Sequence, residues 1–142
     1  MPGPWHNYME SMFPSNMREI KFKCSSKESK TICRKTDILV NDEITVEIQH
    51  SYISENEILA RHDDWKKFGK KIIWILDGNT KDIICEKLST NNYLIQFDKS
   101  WKYKSFEKTY NYILLEIRKI GVFKIELKKI KSKMIVLSEA KS

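Results

Sequence analysis

The chain has 142 residues, 41% of them hydrophobic and 32% charged, and it carries a net charge of +7. That length and balance indicate one globular domain with a single core. No apolar run approaches the roughly 20 residues that span a bilayer, and the N-terminus lacks the basic-then-apolar pattern of a secretory signal, so we expect a soluble, intracellular protein.

The N-terminal segment predicts a helix followed by a strand. A proline at the helix start and apolar residues at three- and four-residue spacing predict a helix over residues 4–13. His6 and Glu10 lie one turn apart in it, where they either face a site together or form a solvated pair. Alternating apolar and polar residues predict a strand over residues 17–23, with Glu19 on its polar face.

Residues 36–51 predict two strands joined by a polar turn. Glu47 and Gln49 alternate with apolar residues, so the carboxylate and the amide share one face. A two-residue loop would place Asp37 opposite Val46, whereas a three-residue loop would place it opposite Glu47. Cross-strand Cβ atoms are about 4.5–5.5 Å apart, and two carboxylates that close repel each other unless a cation lies between them. The segment therefore indicates a divalent-metal site; ordinary solvent-face residues of a hairpin are the alternative.

The next two elements are predicted from capping and hydrophobic patterns. Residues 54–69 predict a helix, because they open on a capping box and end on a glycine. Arg61 lies at the edge of the apolar stripe of this helix, where it either pairs with Glu47 or a phosphate, or covers apolar surface. The continuously apolar residues 71–77 predict a strand buried on both faces of a sheet.

Beyond residue 79 the patterns are weaker. Residues 81–88 favour a short helix, and a helix over residues 105–120 competes with a strand at its centre. Strands are predicted over four segments, residues 92–98, 112–118, 122–127 and 134–137.

The C-terminal third is basic. Residues 99–142 contain twelve Lys or Arg and four Asp or Glu, a net of +8, so the whole positive excess lies there. Such a segment suits a polyanionic partner, although solvated lysine-rich faces are also common. Aromatic residues interleave with lysines in one part of it, which predicts nucleic-acid binding with stacking on exposed bases, while core packing is the commoner fate of such rings. The residues concerned are Lys99, Trp101, Lys102, Tyr103 and Lys104.

Several of these features together resemble a known family. They are Asp37, the run E-I-Q-H-S-Y-I-S from Glu47 to Ser54, Arg61, and the strand W-I-L-D that ends at Asp77. In this order they resemble the competence protein CoiA-like nuclease family, which belongs to the PD-(D/E)XK, restriction-endonuclease-like superfamily. The resemblance covers roughly residues 5–77.

The resemblance implies an α/β fold of a particular kind. It has a restriction-endonuclease-like core of order α-β-β-β-α-β, in which a mixed sheet is flanked by helices, with additional C-terminal strands. We expect one nuclease-like domain over residues 1–142, with its core at about 4–78 and a basic extension at about 79–142.

The resemblance also implies a catalytic set of Asp37, Glu47 and Gln49. The first two match the family's metal-binding residues, and we expect Mg²⁺ (or Mn²⁺) to be bound by their carboxylates and the backbone carbonyl of Ile48. Gln49 stands where the superfamily usually has a lysine, so it can orient a water molecule but cannot supply positive charge. Thr36 replaces the motif's proline, which takes no part in the chemistry.

Other residues near this set have two readings. Glu19 either adds a carboxylate, as the superfamily's first-motif glutamate does, or is a solvated strand residue. Ser51 returns to the face of Glu47, where it binds a ligand or begins the cap of the next helix. His50 points to the opposite face, and we expect it to be packed in the core.

These features favour a Mg²⁺-dependent DNA endonuclease that acts in recombination, repair or DNA processing. The alternative is a catalytically inactive nucleic-acid-binding module on the same fold; a structural protein that docks an acidic partner is a third hypothesis. Glu47→Ala would abolish cleavage in the nuclease and be nearly neutral in the binding module. Many nucleases of this superfamily pair to cut both strands, which leaves a homodimer open.

Overall fold

The chain forms an α/β fold in a computed structural model, which describes residues 3–23, 32–98, 101–118, 120–130 and 134–138. Its helices and strands are, in chain order, α1 (Pro4–Ser11), β1 (Arg18–Lys23), β2 (Ile32–Val40), β3 (Ile44–Gln49), α2 (Glu55–Lys67), β4 (Lys71–Asp77), β5 (Ile83–Ser89), β6 (Asn92–Phe97), β7 (Tyr112–Ile117), β8 (Gly121–Glu126) and β9 (Met134–Ser138). Neither of the two α-helices in the described ranges has the length and apolar character that crossing a membrane requires.

The described strands form two sheets. The larger has six strands in the order β1-β2-β3-β4-β7-β8, and the smaller has the order β5-β6-β9. In the larger sheet β4 and β7 are parallel, whereas β1 with β2, β2 with β3, and β7 with β8 are antiparallel. The sheet is mixed, and the first six helices and strands of the chain follow the order α-β-β-β-α-β. Both features are compatible with a restriction-endonuclease-like core, so the predicted fold class is confirmed.

The chain divides into two compact units. Unit 1 comprises Met1–Ile48 and Ala60–Trp74, and unit 2 comprises Gln49–Leu59 and Ile75–Ser142. Three elements, α2, β3 and β4, contribute residues to both units.

Unit 1 is built around the aromatic face of α2. The Trp65 side chain is fully buried. Its ring packs edge-on to that of Phe22, with 5.1 Å between the ring centroids, and its centroid lies 5.8 Å from that of Phe68. The helix ends at Gly69, whose φ of +72° is a conformation that glycine adopts without strain. The predicted helix over residues 54–69 is confirmed as Glu55–Lys67, and its Trp65 lies in the core of unit 1.

Unit 2 is built around strands that alternate buried and exposed residues. Ile113 and Leu115 on β7 and Phe123 on β8 are fully buried. Tyr93 on β6 packs edge-on to Phe123, with 5.5 Å between ring centroids. The period of two residues on these strands matches a half-buried sheet, and the strands predicted over residues 92–98, 112–118, 122–127 and 134–137 are confirmed.

One helix prediction in this part of the chain is wrong, and one helical alternative is not adopted. The helix predicted over residues 81–88 is replaced by β5, Ile83–Ser89, which pairs with β6 through Ile83 and Cys85, because strand pairing overrides a weak helical pattern. Residues 105–120 do not form one helix; a short 3-10 turn, Lys104–Lys108, precedes β7.

Candidate metal centre

The loop between β2 and β3 decides where Asp37 lies. Ile38 pairs with Val46 and Val40 pairs with Ile44, so three residues form the loop, and the same register continued by one residue places Asp37 opposite Glu47. The first two loop residues have φ values of +51° and +58°; they are Asn and Asp, which tolerate the left-handed conformation better than most residues. The local turn therefore sets the register that brings the two carboxylates opposite each other.

Asp37 contacts further polar groups of unit 1. Its Oδ2 accepts a hydrogen bond from the backbone N–H of Ile48 at 2.8 Å. Its Oδ1 lies 3.1 Å from Nε2 of His6, and Nδ1 of His6 lies 3.1 Å from Oε1 of Glu10. One ligand atom from each of His6, Glu10 and Asp37 lies within 4.8 Å of the other two. Helix α1 thus brings both of its predicted site residues to Asp37.

His6 and Glu10 are not a solvated pair, since their side chains are only 13% and 12% exposed. The Nδ1 atom of His6 is buried and has no hydrogen-bond partner, despite its distance to Glu10. The hydrogen bond with Asp37 raises the pKa of His6 above its usual 6.5, although burial works in the opposite direction. An imidazole nitrogen without a hydrogen bond beside two carboxylates fits a cation site.

Glu47 is the most deeply buried carboxylate of this region, with 4% of its surface exposed. Its Oε1 accepts a hydrogen bond from the indole N–H of Trp65 at 3.2 Å. Burial and the negative charge of Asp37 raise its pKa to about 7, and the positive charge of Arg61 only partly offsets them. Negative charge is therefore in excess here, and a divalent cation would relieve it.

The acidic region extends towards Glu19 on β1. Burial and the charge of Glu19 raise the pKa of Glu10. Glu19 itself is exposed and pairs with Lys35 at 3.1 Å, so its charge is matched by a cationic partner. Glu19 is therefore a solvated strand residue, as one of the two predictions had it, and its negative charge still raises the pKa of Glu10.

Arg61 on α2 lies over the ring of Trp74, 5.7 Å from its centroid. Its charge lowers the pKa of Glu47, as expected of a guanidinium near a buried carboxylate. Arg61 thus covers the aromatic ring of Trp74, while its charge also acts on Glu47.

Gln49 and Ser51 form a small polar turn in unit 2. The amide nitrogen of Gln49 donates to the backbone oxygen of Ser51 at 2.9 Å and to its hydroxyl at 3.3 Å. Capping of α2 is performed instead by Ser54, whose hydroxyl accepts the N–H of Glu57 at 3.2 Å. The amide oxygen of Gln49 is consequently the atom of this side chain that is suited to orient a water molecule.

His50 is not packed in the core. Its side chain is 57% exposed, and its Nδ1 lies 2.8 Å from Oδ2 of Asp77. The prediction was wrong because β3 ends at Gln49, so the alternation of faces does not continue to His50.

The structure also corrects the predicted stacking residues. Trp101 and Tyr103 are 3% and 0% exposed, so neither ring is presented to a base, and both pack in the core of unit 2. Lys102 lies over the ring of Tyr103 at 5.3 Å from its centroid, and Lys104 is exposed. Lys99 lies outside the described residues.

The structure is thus an α/β domain with a mixed sheet, in which the β2–β3 hairpin carries Asp37 and Glu47 and helix α1 brings His6 and Glu10 to Asp37. The family model described as "Competence protein CoiA, nuclease-like domain" matches residues 26–140, and the chain belongs to this family. The match includes Asp37 and Glu47 but begins after α1, so it covers neither His6 nor Glu10. No curated protein and no solved structure matches the chain.

Proposed function

We propose that this chain, as one domain over residues 1–142, is a divalent-metal-dependent nuclease of the PD-(D/E)XK superfamily that hydrolyses phosphodiester bonds in DNA, in recombination, repair or DNA processing. The observation that carries the proposal is the placement of Asp37 opposite Glu47 and beside His6 and Glu10. Membership of a nuclease-like family supports the same function.

The residues present fit a divalent cation. Asp37 and Glu47 would hold it, with the backbone carbonyl of Ile48, and His6 and Glu10 would complete the set. Carboxylates and carbonyls suit Mg²⁺ and Mn²⁺, whereas an imidazole nitrogen suits a transition metal better than Mg²⁺. A bound cation neutralises charge on the phosphate oxygens and lowers the pKa of a coordinated water.

Side chains of the protein would exchange the proton, orient the attacking water and supply positive charge. A carboxyl with a pKa of about 7, such as that of Glu47, can exchange a proton near neutral pH. The amide of Gln49 is fixed through Ser51, which leaves its oxygen to orient the attacking water. Arg61 supplies the positive charge near Glu47 that the missing lysine of the motif would otherwise bring.

The test is cleavage of labelled single-stranded and duplex DNA with Mg²⁺, with Mn²⁺ and with EDTA. We expect cleavage that requires the cation and is lost in Glu47→Gln and Glu47→Ala, while DNA binding in EDTA is kept. Glu43→Gln is the matched control, because Glu43 is an exposed carboxylate on the adjoining turn. Cleavage that survives in both Glu47 variants would contradict the assignment of the site.

A catalytically inactive DNA-binding module is the second candidate. It is favoured by position 49, where a glutamine bound to Ser51 replaces the cationic residue of the motif. Retention of DNA without cleavage in either metal would support the binding module over the nuclease.

A further inference from the structure

Unit 2 contains a basic pocket with an exposed aromatic ring at its edge. Lys102, Lys104 and Lys108 line it together with Tyr52 and Glu55, and it encloses about 530 Å³. Three lysines against one glutamate leave the lining with a net positive charge. The volume lies within the range of about 300–1,000 Å³ that is usual for ligand sites.

Two aromatic residues line this pocket, Tyr52 and Trp101, and Tyr52 is the exposed one. Tyr52 is 66% exposed, whereas the neighbouring rings of Trp101 and Tyr103 are buried. An exposed aromatic ring beside lysines is the arrangement by which proteins stack on a base and hold its phosphates. A tyrosine ring on the protein surface can stack in this way on an unpaired base, because the faces of a paired base are covered by its neighbours in the duplex.

Hydrogen bonds hold the lysine-bearing segment against the segment that carries Tyr52. The hydroxyl of Tyr103 donates to the backbone oxygen of His50 at 2.8 Å. The hydroxyl of Ser105 donates to the backbone oxygen of Ile53 at 2.7 Å. Phe106, between the two outer lysines, is fully buried and anchors the 3-10 turn. These contacts fix the backbone segments that carry the lysines and Tyr52, so that little ordering of the backbone is required when a ligand binds.

We propose that this pocket binds a nucleotide of single-stranded DNA, with its base stacked on Tyr52 and its phosphates held by Lys104 and Lys108. The biological meaning of this site rests on the proposed function, since it would give the nuclease a preference for unpaired strands. Sequence patterns alone favoured Trp101 and Tyr103 as the stacking rings. Tyr52 was missed because it stands alone between polar residues, and its exposure becomes evident only from the fold.

The first test measures the affinity for a fluorescently labelled 12-nucleotide oligothymidylate by anisotropy, in EDTA so that no cleavage occurs. Tyr52→Ala should weaken binding about tenfold, because stacking on one aromatic ring contributes roughly that much. Tyr52→Phe keeps the ring and should bind within about twofold of the wild type. Tyr112→Ala is the matched control, since Tyr112 is also exposed and has Lys124 over its ring at 4.6 Å.

The second test uses salt dependence to locate the phosphate contacts. For single strands each phosphate contact contributes about 0.7 to the slope of log K against log salt, so Lys104→Gln with Lys108→Gln should reduce that slope by about 1.4. Lys81→Gln with Lys87→Gln removes the same charge from exposed positions outside the pocket lining and should leave the slope nearly unchanged.

Three results would overturn the proposal: no binding of the oligothymidylate, equal affinity of Tyr52→Ala and the wild type, or equal changes in slope for the two lysine pairs. A duplex that binds as tightly as the single strand would do the same. These outcomes are separable from the proposed function, because Asp37→Asn should lose cleavage and yet bind the oligothymidylate like the wild type.

Discussion

Among the described residues, a histidine–aspartate pair in unit 1 and another in unit 2 differ in what surrounds them. In unit 1, Nε2 of His6 lies 3.1 Å from Oδ1 of Asp37, and in unit 2, Nδ1 of His50 lies 2.8 Å from Oδ2 of Asp77. The side chain of His6 is 13% exposed and that of His50 is 57% exposed. Similar contacts between the same residue types are thus placed in very different environments.

The carboxylate of Asp77 is surrounded by hydrogen-bond donors. Its Oδ1 accepts the backbone N–H and the side-chain amide of Asn79, both at 2.9 Å. The same amide donates to Oε1 of Glu116 at 3.0 Å, and its oxygen accepts the N–H of Arg118 at 2.8 Å. Buried acids that are matched by donors in this way stabilise a fold and do not need a cation.

Asp37 also accepts hydrogen bonds, from the backbone N–H of Ile48 and from His6, but two further carboxylates lie near it. Glu10 and Glu47 are close enough for its charge to raise the pKa of both, and His6 contributes a nitrogen without a hydrogen bond. Pairing with a histidine therefore does not by itself distinguish a functional aspartate from a structural one. On the basis of the proposed function, we expect the Asp77 pair to stabilise the fold and the Asp37 pair to bind the cation.

The largest expected effect is on cleavage. Asp37→Asn should lower the rate in Mn²⁺ by at least about 100-fold, because it removes a proposed cation ligand, and losses of 10–100-fold already follow from changes to groups around such ligands. Asp77→Asn should retain cleavage when assayed below its melting temperature. Equal losses in the two variants would remove the distinction between the pairs.

The acidic region should make the cation-free protein less stable as pH rises. The pKa of Glu47 is about 7, against 4.5 for the ordinary carboxyl, so between these values the folded state holds a proton that the unfolded state has released. The free energy of unfolding should therefore fall from pH 4.5 to 7, by about 3 kcal/mol, since one pKa unit corresponds to about 1.4 kcal/mol. The raised pKa of Glu10 acts in the same direction, and that of His6 does so above pH 6.5.

Urea denaturation at pH 5, 6, 7 and 8 measures this slope. Glu47→Gln, which cannot ionise, should flatten it, whereas Glu43→Gln should leave it unchanged. A wild-type protein that becomes more stable over this range would show that the carboxylates of unit 1 are already compensated.

The hydrogen-bond donors around Asp77 should contribute to the stability of the fold and not to cleavage. Asn79→Ala leaves the buried carboxylates of Asp77 and Glu116 with fewer donors, which should cost about 1–3 kcal/mol of unfolding free energy. Asp37→Asn should be neutral or stabilising in cation-free protein, because it removes a charge beside Glu47. Thermal denaturation in EDTA compares the stabilities of the two variants with that of the wild type. A destabilised Asp37→Asn would indicate that Asp37 is itself a structural residue.

The smallest effect concerns the choice of metal. His6→Asn should reduce cleavage in Mn²⁺ a few-fold more than in Mg²⁺, because a nitrogen ligand favours the transition metal. Initial rates over a range of each cation test this. Equal effects in both metals would place His6 outside the coordination sphere.

Sequence patterns predicted the parts of this molecule that local chemistry decides. The turn at Asn41 and Asp42 follows from residues that tolerate positive φ, and the ends of α2 follow from a serine cap and Gly69. Whether the loop has two or three residues was left open by the sequence and is decided by the strand pairing. The approach of α1 to Asp37 could not be predicted, since a helical period shows which residues share a face but not what that face meets. The exposure of His50 depends on where β3 ends, which alternation does not reveal.

Binding of Mn²⁺ followed by electron paramagnetic resonance at pH 8, where Glu47 is ionised, tests the central claim most directly. We predict one bound ion per chain in the wild type and in Asp77→Asn, and loss of that ion in Asp37→Asn. Undiminished binding in Asp37→Asn, or loss in both variants, would contradict a cation site at the His6–Asp37 pair.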